Sequence, residues 1–130
     1  VALYFTASWC GPCRRFTPQL VRLYEGLRAA AGGGAPPLEV VLVSWDEMRD
    51  EREAYARDAG MRWLALPHES RALADTMTLR YDVTHIPTLV VLQVSEDGKH
   101  ARVLSREGRD DVERAFIEGK AARWLRDAGF

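Results

Sequence analysis

Apolar positions along this chain fall into blocks with two different periods. Val1 to Thr6 (VALYFT) is a continuous apolar, β-branched and aromatic run of buried-strand length that stops at the small residues Ala7 and Ser8. Phe16, Leu20, Leu23, Tyr24 and Leu27 then recur at helical spacing along one stripe, and GGGAPP at 32–37 closes the predicted helix. Pro18 lies inside the stripe, removes the donor for the Arg14 carbonyl and predicts a kink one to two turns in. LEVVLVS (38–44) predicts a second strand, joined to the first in parallel by the helical crossover. WDEMRDEREAYARDAG (45–60) predicts a charged helix with a solvated face, closed by Gly60. RWLALP (62–67) is a short apolar segment, and ESRALADTMTLRYDV (69–83) predicts a third helix with Leu73, Met77 and Tyr81 inward. TLVVLQV (88–94) predicts a third strand, with HARVLS returning as its hairpin partner across a turn at Asp97-Gly98. The last predicted helix is capped by Asp110 or Asp111 and turns Val112, Ala115, Phe116 and Gly119 to one face.

This order describes an α/β fold, a central mixed β-sheet flanked by helices on both faces, in which chemistry gathers beyond the carboxyl ends of the parallel strands. Cys10 and Trp45-Asp46 both lie at such ends. The 130 residues read as one domain spanning 1–130, large enough to bury a core without covalent staples. The chain opens on a strand at Val1, so the N-terminal part of the domain is expected to be missing, together with any targeting segment that preceded it.

Charge narrows the partners. A formal net charge of -1 offers no clustered basic face for counterion release, so neither nucleic acid nor an anionic membrane is an expected partner, and no apolar run approaches the roughly 20 residues of a span. Two cysteines and no asparagine do not make a secreted disulfide framework. A cytoplasmic monomer is expected.

The two cysteines stand in ASWCGPCRR (7–15) and admit three readings. A zinc site needs four ligands; C-x-x-C supplies two, and His68, His85 and His100 show no paired spacing of the finger type. A purely structural bridge would close so small a loop that it would constrain the unfolded chain little. A redox pair has a mechanism behind it. Cys10, between a strand and the first turn of a helix, meets unpaired N–H groups and the positive end of the helix dipole, which stabilise a thiolate. Cys13, one turn inward, can then attack a mixed disulfide formed by Cys10. Pro12 costs the first turn nothing and fixes its geometry, with Gly11 beside it. HIPT (85–88) adds a proline ahead of a strand; a cis Ile86-Pro87 bond would set that backbone against the cysteines and leave the Ile86 amide and carbonyl free to pair with an extended substrate segment.

W-C-G-P-C before a long helix and I-P-T before a strand resemble the thioredoxin superfamily. More narrowly, YFTASWCGPCRRFTPQL, VLVSWDE, WLALP, YDVTHIPTLVVL and the late Gly108-Arg109 are similar, in order and spacing, to tryparedoxins and nucleoredoxins, a likeness that runs from Val1 to about Arg109. Gly11 is the thioredoxin choice where those families have proline, whereas Tyr4 stands where thioredoxins carry a buried Asp and tryparedoxins a Tyr. The resemblance implies a thioredoxin-like fold and a dithiol-disulfide oxidoreductase with a redox-active Cys10–Cys13 disulfide and no bound cofactor. A tryparedoxin-like protein would take electrons from trypanothione or glutathione, a low-molecular-weight thiol donor, and pass them to disulfide-containing proteins such as peroxidases. A nucleoredoxin-like one would work as a redox-dependent interaction module with little turnover.

The remaining residues take their expected places around the pair. Trp9 forms an apolar lip over the nucleophile, Trp45 and Asp46 overhang the site from the second strand, and Asp46 is a proton-shuttle candidate. Arg109 corresponds by the resemblance to an arginine near the donor site. Tyr4, with an ordinary pKa near 10, packs or hydrogen-bonds beneath the pair rather than acting as a base. His85, Arg14 and Arg15 are read as solvated, and Trp63 as core.

Overall fold

A computed structural model of the chain describes residues 1–130. The run VALYFT forms β1 (Ala2–Thr6), every residue of which is buried. A strand buried on both faces has to lie mid-sheet, and β1 does, in a five-stranded sheet of order β3-β2-β1-β4-β5. Following it are α1 (Gly11–Ala30), β2 (Val40–Ser44), α2 (Arg49–Asp58), β3 (Leu64–Ala65), α3 (Arg71–Arg80), β4 (Thr88–Val94), β5 (Ala101–Ser105), α4 (Gly108–Glu118) and α5 (Arg123–Asp127). β2 runs parallel to β1 with Leu3 opposite Val41, and β4 runs antiparallel to it with Tyr4 opposite Leu89. The sheet is therefore mixed, and β4 and β5 form the expected antiparallel pair.

Strand parity divides the core. Tyr4 joins Phe16, Leu20, Leu23 and Leu27 of α1, and Val112 and Ala115 of α4, on one face. Leu3 and Phe5 join Val43, Ala74 and Val90 on the other. Each face is closed by helices, which is the arrangement the alternation of element types predicts. The α1 helix runs unbroken from Gly11 to Ala30 through Pro18.

Four local expectations are corrected. The charged helix starts at Arg49 rather than Trp45, because the backbone of 45–46 is already engaged: Trp45 N donates to Thr6 O and Asp46 N to Ser44 Oγ. Tyr55 is the residue that this helix buries. On α3 the inward residue is Ala74, with Met77 and Tyr81 packed partly against the same core, while Leu73 is 39 % exposed. A small side chain at 74 lets the helix lie close to the sheet, and the stripe 74–77–81 leaves 73 to one side. Asp110 and Asp111 sit in the first turn of α4, not at its cap, and Gly119 ends the helix in the left-handed region at φ 69° instead of packing on its face. The Asp111 carboxylate accepts from Ser105 Oγ at 2.6 Å and Trp124 Nε1 at 2.8 Å, tying α5 back to the start of α4.

Gly108 decides how close α4 comes to the sheet. A Cβ at this position would stand 2.6 Å from the Leu89 carbonyl oxygen and 3.0 Å from the Leu89 side chain. Alanine would gain at most about 1 kcal/mol of helix propensity but would overpack against strand backbone at a cost of about 1–3 kcal/mol. Gly108→Ala is expected to lower unfolding stability by about 1–2 kcal/mol in urea titration; an unchanged midpoint would mean that α4 is free to slide off β4.

Candidate active site

The end of β1 and the start of α1 place the cysteine pair. Cys10 is the N-cap of α1 rather than part of its first turn, with extended backbone at φ -90°, ψ 111°, and its Sγ accepts from the Cys13 N–H at 3.2 Å. Pro12 lies in the first turn, where its missing N–H is not needed. Cys10 and Cys13 form a disulfide with Cα atoms 5.2 Å apart. Cys10 is 6 % exposed and Cys13 is fully buried, so the outer sulfur is recessed yet is still the more accessible of the two. A side chain at Gly11 would have room, meeting only Arg15 Nη1 at 3.6 Å.

The loop before β4 faces the pair. The Ile86-Pro87 peptide is cis, and the Ile86 carbonyl oxygen lies 3.8 Å from Cys10 Sγ, within reach of a thiol S–H in the reduced state. No backbone partner takes the Ile86 N–H or carbonyl. Ile86 and Trp45 pack against Ala7, Cys10 and Cys13, so Trp45 flanks the sulfurs from the second strand. Trp9 is 63 % exposed beside them. Arg109 does not join this group. It pairs with Glu113 at 3.1 Å and lines, with His85, Pro87 and Arg106, a cleft of about 560 Å³ whose walls include neither cysteine.

Asp46 holds the site together from below. Its buried carboxylate accepts from Ser8 N at 3.1 Å, from Ser8 Oγ at 2.5 Å and from Ser44 Oγ at 2.8 Å. These bonds engage both oxygens of the group expected to shuttle protons and make it a strut between β2 and the residue two before Cys10. Arg71 of α3 braces the same turn by donating to the carbonyls of Ser44, Trp45 and Asp46 at 3.2, 3.3 and 2.6 Å. Arg14, expected in solvent, instead donates from Nε to Ser8 O at 2.5 Å, and its guanidinium carbon lies 5.2 Å from the centre of the Tyr55 ring. Ser8 is thus held at its N–H, hydroxyl and carbonyl. Sequence reasoning missed Ser8, Arg71 and Tyr55, because partners 25 to 49 residues away leave no local periodicity.

Tyr4 is buried beneath the pair with its hydroxyl 2.7 Å from Thr17 Oγ1 and its ring edge-on to Phe16 and Trp63. Burial, reinforced by neighbouring Tyr55, pushes its phenol well above the ordinary range. Trp63 is in the core, as its sequence setting suggested.

Two outcomes follow from these contacts. A buried phenol whose pKa is raised on folding contributes stability that is complete below about pH 10 and is lost as pH rises past that value; Tyr24, also raised by burial, acts in the same direction. Tyr4→Phe is expected to flatten the fall in stability above pH 10 while leaving neutral-pH turnover within about threefold, the loss of one of the two donors to Thr17, and an unaltered alkaline slope would contradict the assignment. Asp46→Ala, which strands the Ser8 donors, is expected to lose about 1–3 kcal/mol of stability without changing the shape of the pH–rate profile. Loss of a titrating limb would restore the shuttle role.

Set against known proteins, the sequence matches the model of a family described as thioredoxin-like over residues 1–99. It is 42 % identical over 92 residues to tryparedoxin of Trypanosoma brucei brucei, covering 71 % of this chain and 59 % of that protein. It is 34 % identical over 112 residues to nucleoredoxin of Bos taurus, covering 86 % of this chain and 23 % of that protein. The chain therefore spans less than two thirds of the length of these relatives. Its fold superposes on the structure of tryparedoxin II complexed with glutathionylspermidine with a TM-score of 0.75 at 37 % identity, over 95 % of this chain and 77 % of that one. With its sheet order, its cysteine pair at the head of α1 and its cis-proline opposite, the chain belongs to the thioredoxin-like family.

Proposed function

We propose that this protein is a dithiol-disulfide oxidoreductase that reduces disulfides of proteins or of small thiols, in the manner of the tryparedoxins. The observation that carries the proposal is the opposition of the N-cap sulfur of Cys10 to the unpaired Ile86 backbone across the cis-proline, with Cys13 buried behind it. The Cys13 N–H and the positive end of a 20-residue helix favour negative charge on Cys10 Sγ. In the reduced protein the Cys10 thiolate attacks one sulfur of the target disulfide, forming a mixed disulfide and releasing the other target sulfur as a thiolate, which takes up a proton. The Cys13 thiol then loses its proton and attacks Cys10 Sγ; the bond to the target breaks, its second sulfur leaves, and two electrons have passed to the target as the Cys10–Cys13 bond closes. The Ile86 N–H and carbonyl hold an extended target segment by strand-like pairing, with Trp9, Trp45, Gly11 and Pro12 around the sulfur. Arg109, on the wall of the neighbouring cleft, meets an anionic part of the donor.

The dithiol is the redox group, and trypanothione or glutathione is the proposed reductant in a cytoplasmic setting. The solved tryparedoxin II bound to glutathionylspermidine supports that class of donor. Disulfide-bearing proteins such as peroxidases are the proposed acceptors. A second reading, a redox-gated interaction module, draws on the similarity to nucleoredoxin and on Trp9, whose ring is largely open to a partner.

The two readings separate on covalent trapping. Cys13→Ser is expected to accumulate mixed disulfides through Cys10, resolved on mixing with reduced wild-type protein, whereas Cys10→Ser traps nothing. Alkylation of the reduced protein at neutral pH, followed by mass spectrometry, is expected to modify Cys10 well before Cys13. Equal labelling, or adducts through Cys13 alone, would reverse the order of attack. Partners that co-purify without any bond to Cys10 would favour the interaction module.

A further inference from the structure

Four buried hydroxyl groups meet beneath the cysteine pair: Tyr4 and Thr6 of β1, Thr17 of α1 and Tyr55 of α2. Thr17 Oγ1 is at their centre, 2.8 Å from the Cys13 carbonyl oxygen, 2.7 Å from Tyr4 OH and 2.7 Å from Tyr55 OH. Tyr55 OH lies 3.0 Å from Thr6 Oγ1. Counting hydrogens orients the whole cluster. A carbonyl only accepts, so the single hydroxyl hydrogen of Thr17 goes to Cys13. Both tyrosines must then donate to Thr17, filling its two lone pairs, and Tyr55, with its hydrogen committed, accepts from Thr6. Every hydroxyl hydrogen in the cluster is assigned, and the chain of donors ends on the backbone of Cys13.

Such a cluster does not take the Cys13 proton. Thr17 has no free lone pair, and the Tyr4 phenol is held protonated by burial. What it does is hold one carbonyl from the side, at the place where α1 needs it. Pro18, next to Thr17, has no N–H for the Arg14 carbonyl, so the helix lacks a rung just beyond the cysteine turn. The Thr17 hydroxyl, anchored by side chains from two other elements, ties that turn to β1 and α2.

We propose that Thr17 is a positioning residue for the second half of the exchange: it fixes the first turn of α1 so that Cys13 Sγ stands in line with Cys10 Sγ while Cys10 carries a target. This rests on the reductase reading above. In that step the Cys13 thiol gives its proton to solvent, its thiolate forms the Cys10–Cys13 bond, the bond from Cys10 to the target sulfur breaks, and the target leaves as a thiolate. A displacement of Cys13 by a fraction of an ångström penalises this step and not the first, which uses Cys10 and the target alone.

The test uses reduced protein mixed with an equimolar aromatic disulfide, dithiobis(nitrobenzoate), in stopped flow. Each exchange releases one coloured thiolate, so the two steps appear as two phases. Thr17→Val, which keeps the shape and removes the hydroxyl, is expected to leave the first phase within about twofold and to slow the second by about tenfold or more. Thr17→Ser, which keeps the hydroxyl, is expected to restore the second phase to within about threefold of wild type. Should Thr17→Val not fold by circular dichroism, Tyr55→Phe removes one of the two donors to Thr17 and must slow the second phase alone, by about threefold. An unchanged second phase, equal slowing of both phases, or a serine variant as slow as valine overturns the assignment of Thr17. A wild-type protein that releases no thiolate at all overturns the reductase reading itself, a different and separately visible result.

Discussion

Complete burial of β1 is the constraint on which the rest of the molecule depends. Residues 2–6 have no solvent face, so β1 must be covered on both sides and paired on both edges. Its parity then assigns Tyr4 to the α1 face and Phe5 to the α3 face, and its carboxyl end delivers Ala7, Ser8 and the cysteines to the sheet's functional edge. A one-residue slip against β2 would exchange the two faces, placing the Tyr4 hydroxyl among Val43, Val83 and Leu92 with no polar partner. The buried polar groups of Tyr4 and Thr6 therefore specify register as well as filling space.

Polar burial recurs around the site with a consistent logic. The Asp46 carboxylate and the four-hydroxyl cluster are each withdrawn from water, and each is bonded to groups from other elements. Burial of such groups without partners would cost several kcal/mol, so these bonds are less a source of net stability than a set of alternatives made expensive. They hold the loop before Cys10 through Asp46 and Arg14, and the turn carrying Cys13 through Thr17. The sulfurs are thus located by backbone held from two sides, while beside them the Ile86 amide has no backbone partner and the Trp9 ring is exposed.

Much of this was legible from the amino-acid order alone. Apolar runs located β1, β2, β4 and β5 to within two residues and a helical stripe located α1, since burial periodicity is a local property of the chain, whereas RWLALP did not show that Leu64–Ala65 would pair as β3. The cysteine pair, its position after a strand and the proline of HIPT could be read because C-x-x-C and X-Pro are short motifs whose geometry is settled within a few residues. What only the tertiary structure decided is where side chains meet partners distant in sequence. Tyr55 took no place in the sequence reading of its charged helix, and its ring is buried because α2 packs over the end of β1 and the start of α1, where Thr6 and Thr17 take its hydroxyl. Asp46 invited a proton-transfer role by its place at a strand end, and the bonds that its carboxylate makes depend on Ser8, 38 residues earlier in the chain. The inward face of α3 turned on Ala74 instead of Leu73, because closeness of approach to the sheet, not hydrophobicity, chose it. Local order determined the elements and the redox pair; the hydrogen-bond partners of buried polar groups were decided by packing, since a donor is satisfied by whatever acceptor folding brings within about 3 Å, irrespective of its distance along the chain.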